Sequence, residues 1–157
     1  MVATLGFERV ALAETTGLLR RALDDLVHYA KETRRDGQPL AHDPLWRQRL
    51  AGMAVEIEAQ RMLSYRTWWL ASKGVVPQYE ASAAKVYGDE LTQRFANLAM
   101  QLLGLYGQLD KGSKSAPFEG RICRDYLGSV ATSIAGGTPE IQKNIIAMRG
   151  LGLPRSY

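Results

Sequence analysis

Residues 79–107 read YEASAAKVYGDELTQRFANLAMQLLGLYG, and the period of this stretch decides the fold. Tyr87, Leu91, Phe95, Leu98, Leu102 and Leu105 recur at steps of four, four, three, four and three, which is one face of an α-helix and not the alternation of a strand. Ala81, Ala83 and Ala84 add helix propensity in the first turns. The helix is expected to begin after Pro77 and to run to about Leu105, where Gly104-Leu105-Tyr106-Gly107 ends it.

Working outward, the preceding segment repeats the logic. Asp43-Pro44 is a cap followed by a proline at the first helical position, and Trp46, Leu50, Met53 and Ile57 carry the apolar stripe toward a stop at Gly74. Within this helix Tyr65, Trp68 and Trp69 suit a ligand cavity, but aromatic residues at helical spacing are assigned to packing. Further upstream, about Leu5 to Arg35 form a first amphipathic helix, with Leu12, Leu19, Leu23, Leu26 and Ala30 on one face and Arg20, Arg21, Asp24, Asp25 and Lys31 between them. Arg34-Arg35-Asp36-Gly37-Gln38-Pro39 then breaks the pattern. Downstream, Asp110 to Gly120 is polar and breaker-rich, hence an exposed loop, and a fourth helix spans about Glu119 to Thr132. A short final helix follows the Gly136-Gly137 turn. No strand alternation is present. The expected fold is all-α, an antiparallel four-helix bundle with a short extra C-terminal helix, in a single domain over residues 1–157.

Composition narrows the class. A chain of 157 residues with 46% hydrophobic and 23% charged residues buries a core without disulfides or metals, and no apolar run approaches the ~20 residues that cross a bilayer. Met1-Val2-Ala3-Thr4 leads into a pattern containing Glu8 and Arg9 and lacks the outline of a secretory signal, so a cytoplasmic protein is expected. Cys123 is the lone cysteine, expected as a buried inert thiol, and His28 and His42 do not make a metal-ligand spacing. The net charge of +4 is scattered along helix faces among acids, which does not fit a nucleic-acid footprint.

The chemistry concentrates in Ile134–Arg155, IAGGTPEIQKNIIAMRGLGLPR. Two glycines allow a sharp bend or close approach to a flat ligand. Thr138 follows as an expected N-cap, Pro139 as the first helical residue and Glu140 as an acid at the positive end of the helix dipole. Such an entry leaves N–H groups free for a phosphate or a polarised carbonyl, although the same local signals also make a plain turn between packed helices.

This string resembles the C-terminal signature of the acyl-CoA dehydrogenase flavoenzymes, a Gly-Thr-Ser-Glu-Ile-Gln-type segment ending in Leu-Gly-Leu-Pro-Arg. The resemblance extends over the whole chain, because members of that family end in a helical domain of this length. It implies that the chain corresponds to the third domain, with the N-terminal helical and middle β-domains absent from it. It further implies FAD as cofactor, an acyl-CoA substrate, an acceptor of the electron-transfer flavoprotein type, and a homo- or hetero-oligomer. In the family a carboxylate takes the α-proton of the thioester while the β-hydrogen leaves as hydride, and a backbone N–H at the turn supports the thioester oxygen.

Carried onto this sequence, that N–H is the one on Gly136. The side chain departs from the common pattern, since many members place their catalytic Glu at this position. A smaller set takes the base from the first helix, and Phe7-Glu8-Arg9-Val10-Ala11-Leu12-Ala13 resembles that arrangement, making Glu8 the candidate base. An acid in a first helical turn also suits the dipole alone. The family's Gln-x-x-Gly-Gly-x-Gly segment at the adenine end of FAD corresponds to Gln101, Gly104 and Gly107, with one glycine lost. Thr138 and Glu140 match turn positions that touch the cofactor. Arg34 and Arg35 stand near the place of the family's diphosphate-binding arginine, where they serve equally as helix caps. The Arg-Arg-Asp-Gly loop and the Ala-Gly-Gly-Thr turn look most like bacterial, especially actinobacterial, members acting on bulky acyl-CoAs such as steroid side chains. Some of those assemble from two different subunits, so a non-catalytic partner subunit is the competing expectation. An unrelated helical interaction domain is the third.

Overall fold

The computed structural model describes residues 15–155. Four antiparallel helices and a short fifth account for the fold: α1 (Thr15–Glu32), α2 (Pro44–Ser72), α3 (Tyr79–Leu103), α4 (Arg121–Thr132) and α5 (Pro139–Ile145), the last continuing into one π-helical turn, Ile146–Gly150. The central helix is α3, packed against α2, α4 and α5. The register is visible in side-chain pairs: Arg49 with Gln101, Glu56 with Arg94 and Arg66 with Glu80 run antiparallel along α2 and α3.

The apolar stripes expected from the sequence form the core. Leu19, Leu23, Leu26 and Ala30 of α1, Trp46, Leu50, Met53 and Ile57 of α2, and Leu91, Phe95, Leu98 and Leu102 of α3 are all buried together. Each leucine so buried contributes about 2 kcal/mol by removal from water. Leu105 departs from its stripe. α3 stops at Leu103 because Gly104 turns to φ +59°, and Leu105, two residues beyond, is 81% exposed in a 3-10 turn, Gly104–Gln108.

Helix ends follow local chemistry. Asp43 caps α2, its Oδ1 accepting the Leu45 N–H at 2.8 Å with Pro44 at the first position. At the other end Gly74, at φ +74°, closes the helix as its N–H reaches Ala71 O and the Val75 N–H reaches Leu70 O. α1 ends at Glu32, three residues short of the expected Arg35, because Asp36 (φ +51°) and Gly37 (φ +79°) make a tight hairpin turn. Two-residue strands β1 (Arg34–Arg35) and β2 (Gln38–Pro39) pair across it, a small exception to the expected absence of strands. α4 begins at Arg121, after Phe118, Glu119 and Gly120 all take positive φ.

The inner face of α2 changes character after Ile57. Gln60, Ser64 and Thr67 are buried there, as are Ser82 and Lys85 of α3. Gln60 Nε2 donates to Ala84 O at 3.0 Å, and Gly88 leaves the room: a Cβ there would lie 2.8 Å from Gln60 Nε2. Lys85 is paired with Asp89, whose carboxyl is held above its ordinary range chiefly by burial, against the pull of the Lys85 ammonium. On the outer face of the same helix Met62, Tyr65 and Trp69 are exposed, so two of the aromatic residues assigned to packing are not in this chain's core.

Candidate functional site

The turn after α4 is built by successive local bonds. The Ile134 and Ala135 N–H groups both return to Ala131 O at 3.1 Å, closing the helix. Gly136 (φ +68°) and Gly137 (φ +105°) then reverse the chain in conformations that residues with a Cβ rarely adopt. Thr138 is extended (φ −62°, ψ 160°) and its carbonyl accepts the first bond of α5, from Gln142 N at 3.0 Å. Thr138 therefore stands at the N-cap position as expected, but its side chain makes no capping bond to the backbone. Its hydroxyl instead acts on the Glu140 carboxylate two residues on. That contact first, and then the Glu140 backbone N–H, holds Glu140 below the usual carboxylate range.

Gln142 is the residue that organises this turn. Its side chain is fully buried, and Nε2 donates to Gly136 O at 3.0 Å and to Gly137 O at 3.2 Å. A Cβ on Gly137 would sit 2.7 Å from that nitrogen, so the glycine is required by packing as well as by φ. With both carbonyls engaged on the inner side, the Gly136 N–H has no backbone acceptor among the described residues. Gly136 itself is half-buried, beside the exposed Ile134 and Ala135. The sequence reading passed over Gln142. The available signal was an amide-bearing residue in the first turn of a helix, five and six positions beyond two glycines.

α5 and its π turn lie along the first half of α3. Lys143 Nζ reaches Glu90 Oε1 at 3.4 Å, the Arg149 guanidinium bonds Gln78, and Gly150 lies where a Cβ would meet the Tyr79 ring at 3.2 Å. Gln93 Nε2 to Ser129 O, 3.4 Å, ties α4 to the middle of α3. The helices on either side of the glycine turn are thereby both tied to residues 90–93 of the central helix.

The other expected cofactor contacts lie elsewhere. Gln101 lies eight to eleven residues further along α3 than these two anchor points, roughly 12–16 Å of helix axis. Its Oε1 accepts from Arg49 Nη2 at 2.6 Å. Gln101 and Gly104 line a shallow open cavity of about 730 Å³ with Met100, Cys123, Tyr126 and Leu127. Cys123 is half-buried at its wall, more accessible than the sequence suggested. Gly107 is buried against Leu103 and Met100. Arg34 donates to Gly37 O at 3.0 Å within the hairpin, and Arg35 is exposed beside it. Glu8 lies outside the described residues.

These groups offer the right donors for parts of FAD: exposed guanidinium groups for diphosphate oxygens and a backbone N–H at a glycine turn. They do not converge on one pocket within a single chain. Among the described residues there is no cluster of His, Cys, Asp or Glu able to hold a metal ion, and no helix is long and apolar enough to cross a membrane.

Residues 1–151 match the sequence family described as acyl-CoA dehydrogenase, C-terminal domain. The chain belongs to the acyl-CoA dehydrogenase family. It is 33% identical to acyl-CoA dehydrogenase FadE26 of Mycobacterium tuberculosis, over 97% of this chain and 39% of that protein. With an acyl-CoA dehydrogenase of Bacillus subtilis it shares 35% identity, over 96% of this chain and 38% of the relative. The chain thus spans about two fifths of the length of these relatives. Among solved structures, the fold superimposes on the Tcur3481-Tcur3483 steroid ACAD with a TM-score of 0.88 at 28% identity, covering 97% of this chain and 38% of that one. On the ChsE4-ChsE5 complex from Mycobacterium tuberculosis the TM-score is 0.79 at 32% identity, covering 88% and 36%. In this acyl-CoA dehydrogenase domain, then, the turn that leads into the last helix is a glycine pair braced by the Gln142 amide.

Proposed function

We propose that this domain works as the C-terminal helical part of an FAD-dependent enzyme that converts an acyl-CoA thioester to a trans-2-enoyl-CoA, supplying flavin contacts and part of the oligomer interface. The observation that carries the reading is the Gly136-Gly137 turn, with its carbonyls tied to the buried Gln142 amide and the Gly136 N–H left without a backbone acceptor among the described residues. A thioester oxygen gains negative charge as the α-proton leaves, and a fixed N–H at that oxygen strengthens its hold as the charge develops. FAD, when bound, supplies the hydride acceptor for the β-hydrogen.

Glu8 is the candidate base in this reading. Arg34 and Arg35 serve the diphosphate and Gln101, Gly104 and Gly107 the adenine end, while Thr138 and Glu140 contact the cofactor beside the turn. The separation of these groups along α3 suits a flavin held with other domains or another chain. The outward-facing Met62, Tyr65 and Trp69 of α2 and Leu127 and Val130 of α4 give apolar surface for such contacts. A bulky acyl-CoA substrate, such as a steroid side-chain thioester, a cytoplasmic setting and an electron-transfer flavoprotein-type acceptor complete the proposal.

A second reading has support of its own. With Gly136 lacking a carboxylate, the chain also suits the non-catalytic member of a two-subunit enzyme, and two of the solved structures it resembles bear the names of two proteins each. One experiment separates the readings. The complete enzyme, or the complex of this chain with its partner, is purified with flavin and reduced anaerobically with acyl-CoA, wild type against Glu8→Gln. Loss of flavin bleaching with flavin still bound assigns the base to Glu8. Unchanged bleaching moves the base to the partner. The 157-residue chain alone is expected to hold FAD weakly and to show no turnover.

A further inference from the structure

We propose that Gln142 is a positioning residue for the reaction. Its amide pins the Gly136 and Gly137 carbonyls, which fixes the two peptide units that directly follow the Gly136 N–H and so limits how far that donor can turn. The role rests on the acyl-CoA dehydrogenase reading above, but its physical basis is in the turn itself.

Three observations carry it. First, both N–H bonds of the amide are spent on carbonyls of successive glycines, at 3.0 and 3.2 Å, within the turn that leads into the same helix. One planar group thereby sets the orientation of two adjacent peptide units. Rotating the amide by 180° would set Oε1 against those two carbonyl oxygens, so the network itself determines which atom points inward. Second, Gln142 Oε1 is buried and has no hydrogen-bond partner among the described residues, in a side chain with no exposure. A buried orphan oxygen is costly, and a methionine or leucine would fill the same space without it. A glutamine earns its place here only through its two donors. Third, Gly137 at φ +105° has its missing Cβ 2.7 Å from Nε2, so the turn and the amide fit only in each other's presence. Two glycines in succession are otherwise among the most mobile of backbones, and a mobile donor gives little stabilisation to a developing oxyanion. Bracing the pair from behind removes that freedom without placing a side chain on the substrate side.

The test uses Gln142→Met, which keeps length and packing and removes both donors, in the intact chain and in the assembled flavin-containing dehydrogenase. In the ¹⁵N-glycine-labelled chain, the Gly136 and Gly137 amide resonances are expected to shift or broaden. Hydrogen exchange of the Gly137 N–H, which donates to Ile134 O at 3.3 Å, should accelerate about tenfold or more, while the melting temperature stays within about 3 °C of wild type. In the assembled enzyme kcat for flavin reduction is expected to fall on the order of 10–100-fold with KM changed less than about twofold, the pattern for an interaction expressed in the transition state. Gln142→Glu supplies a second readout. Its buried carboxylate would repel the two carbonyl oxygens at neutral pH, whereas the protonated acid can donate one bond, so glycine order and kcat should recover as pH falls, a limb the wild type lacks. Glycine exchange unchanged in both variants overturns the proposal, as does altered exchange with unaltered kcat. A wild-type assembly whose flavin is not bleached by acyl-CoA overturns the proposed function instead, and the glycine exchange then decides whether Gln142 braces the turn.

Discussion

Replacing Gly120 by alanine is expected to destabilise the bundle far more than the addition of one methyl group at a helix start suggests. Phe118, Glu119 and Gly120 enter α4 at φ +52°, +53° and +72°, three left-handed residues in succession. An alanine at the third costs about 1 kcal/mol for the left-handed conformation alone. Its Cβ would also stand 2.5 Å from Asp110 C and Lys111 N and 2.8 Å from Asp110 Cα, all backbone atoms with no rotamer to escape into. The 110–120 loop would have to move. It is held by Asp110 Oδ1, which accepts from Lys111 N at 2.6 Å and from Arg124 Nη1 at 3.2 Å. Relieving an overlap of this kind costs about 1–3 kcal/mol. The sum, about 2–4 kcal/mol, corresponds to a fall in melting temperature of roughly 4–16 °C for a domain of this size. Thermal unfolding followed by circular dichroism at the helix band measures it. Gly128→Ala is the matched control: that glycine is inside α4, has no neighbour within 4 Å of an added Cβ and has no positive φ, so the substitution should stabilise by about 0.5–1 kcal/mol. A Gly120→Ala chain melting within about 2 °C of wild type, or a Gly128→Ala chain losing as much, would refute the reasoning.

Two further outcomes follow from the charged groups. Lys85 has a side chain only 2% exposed and paired with Asp89, so Asp89→Asn leaves a buried ammonium without its counter-charge and should cost about 3 kcal/mol in urea unfolding. The double change Lys85→Met with Asp89→Leu removes both charges and should come within about 1 kcal/mol of wild type; equal loss in both would contradict the assignment. Asp110 and Glu140 are held below the usual carboxylate range, the first chiefly by the Lys111 N–H and the second by the Thr138 hydroxyl. A depressed carboxyl binds fewer protons folded than unfolded, so its contribution is present above the unfolded value and is lost as pH falls through the folded one. Asp89, raised by burial, has the opposite sign, favouring the fold below its unfolded value and losing that contribution as pH rises. Asp110→Asn should therefore flatten the loss of melting temperature below about pH 4, and a slope equal to wild type would argue against the contact.

Much of the fold was legible in the residues. The stripe from Leu91 to Leu102, the Asp43-Pro44 cap and the Gly74 stop are local signals, each settled by neighbours within a turn of helix, and all appear as expected. The misreadings have local causes of another sort. Leu105 matched the period but follows a glycine that had already left the helix, and the Asp36-Gly37 pair is a hairpin signal that outweighed the last turn of α1. Tyr65 and Trp69 matched a packing pattern, yet α2 turns its polar Gln60, Ser64 and Thr67 inward and leaves those rings outside.

By itself the sequence determined the helical class, the bundle and the family, because apolar period and a long signature string are written in consecutive residues. Tertiary structure alone decided how the site is made. That Gln142 reaches back to two glycine carbonyls, and that Gln101 and the glycine turn lie apart along α3, depend on where helix ends stand in space. A side-chain amide can be read from the chain. The atoms it will face, and whether one of its own will be left without a partner, are known only once the backbone has folded around it.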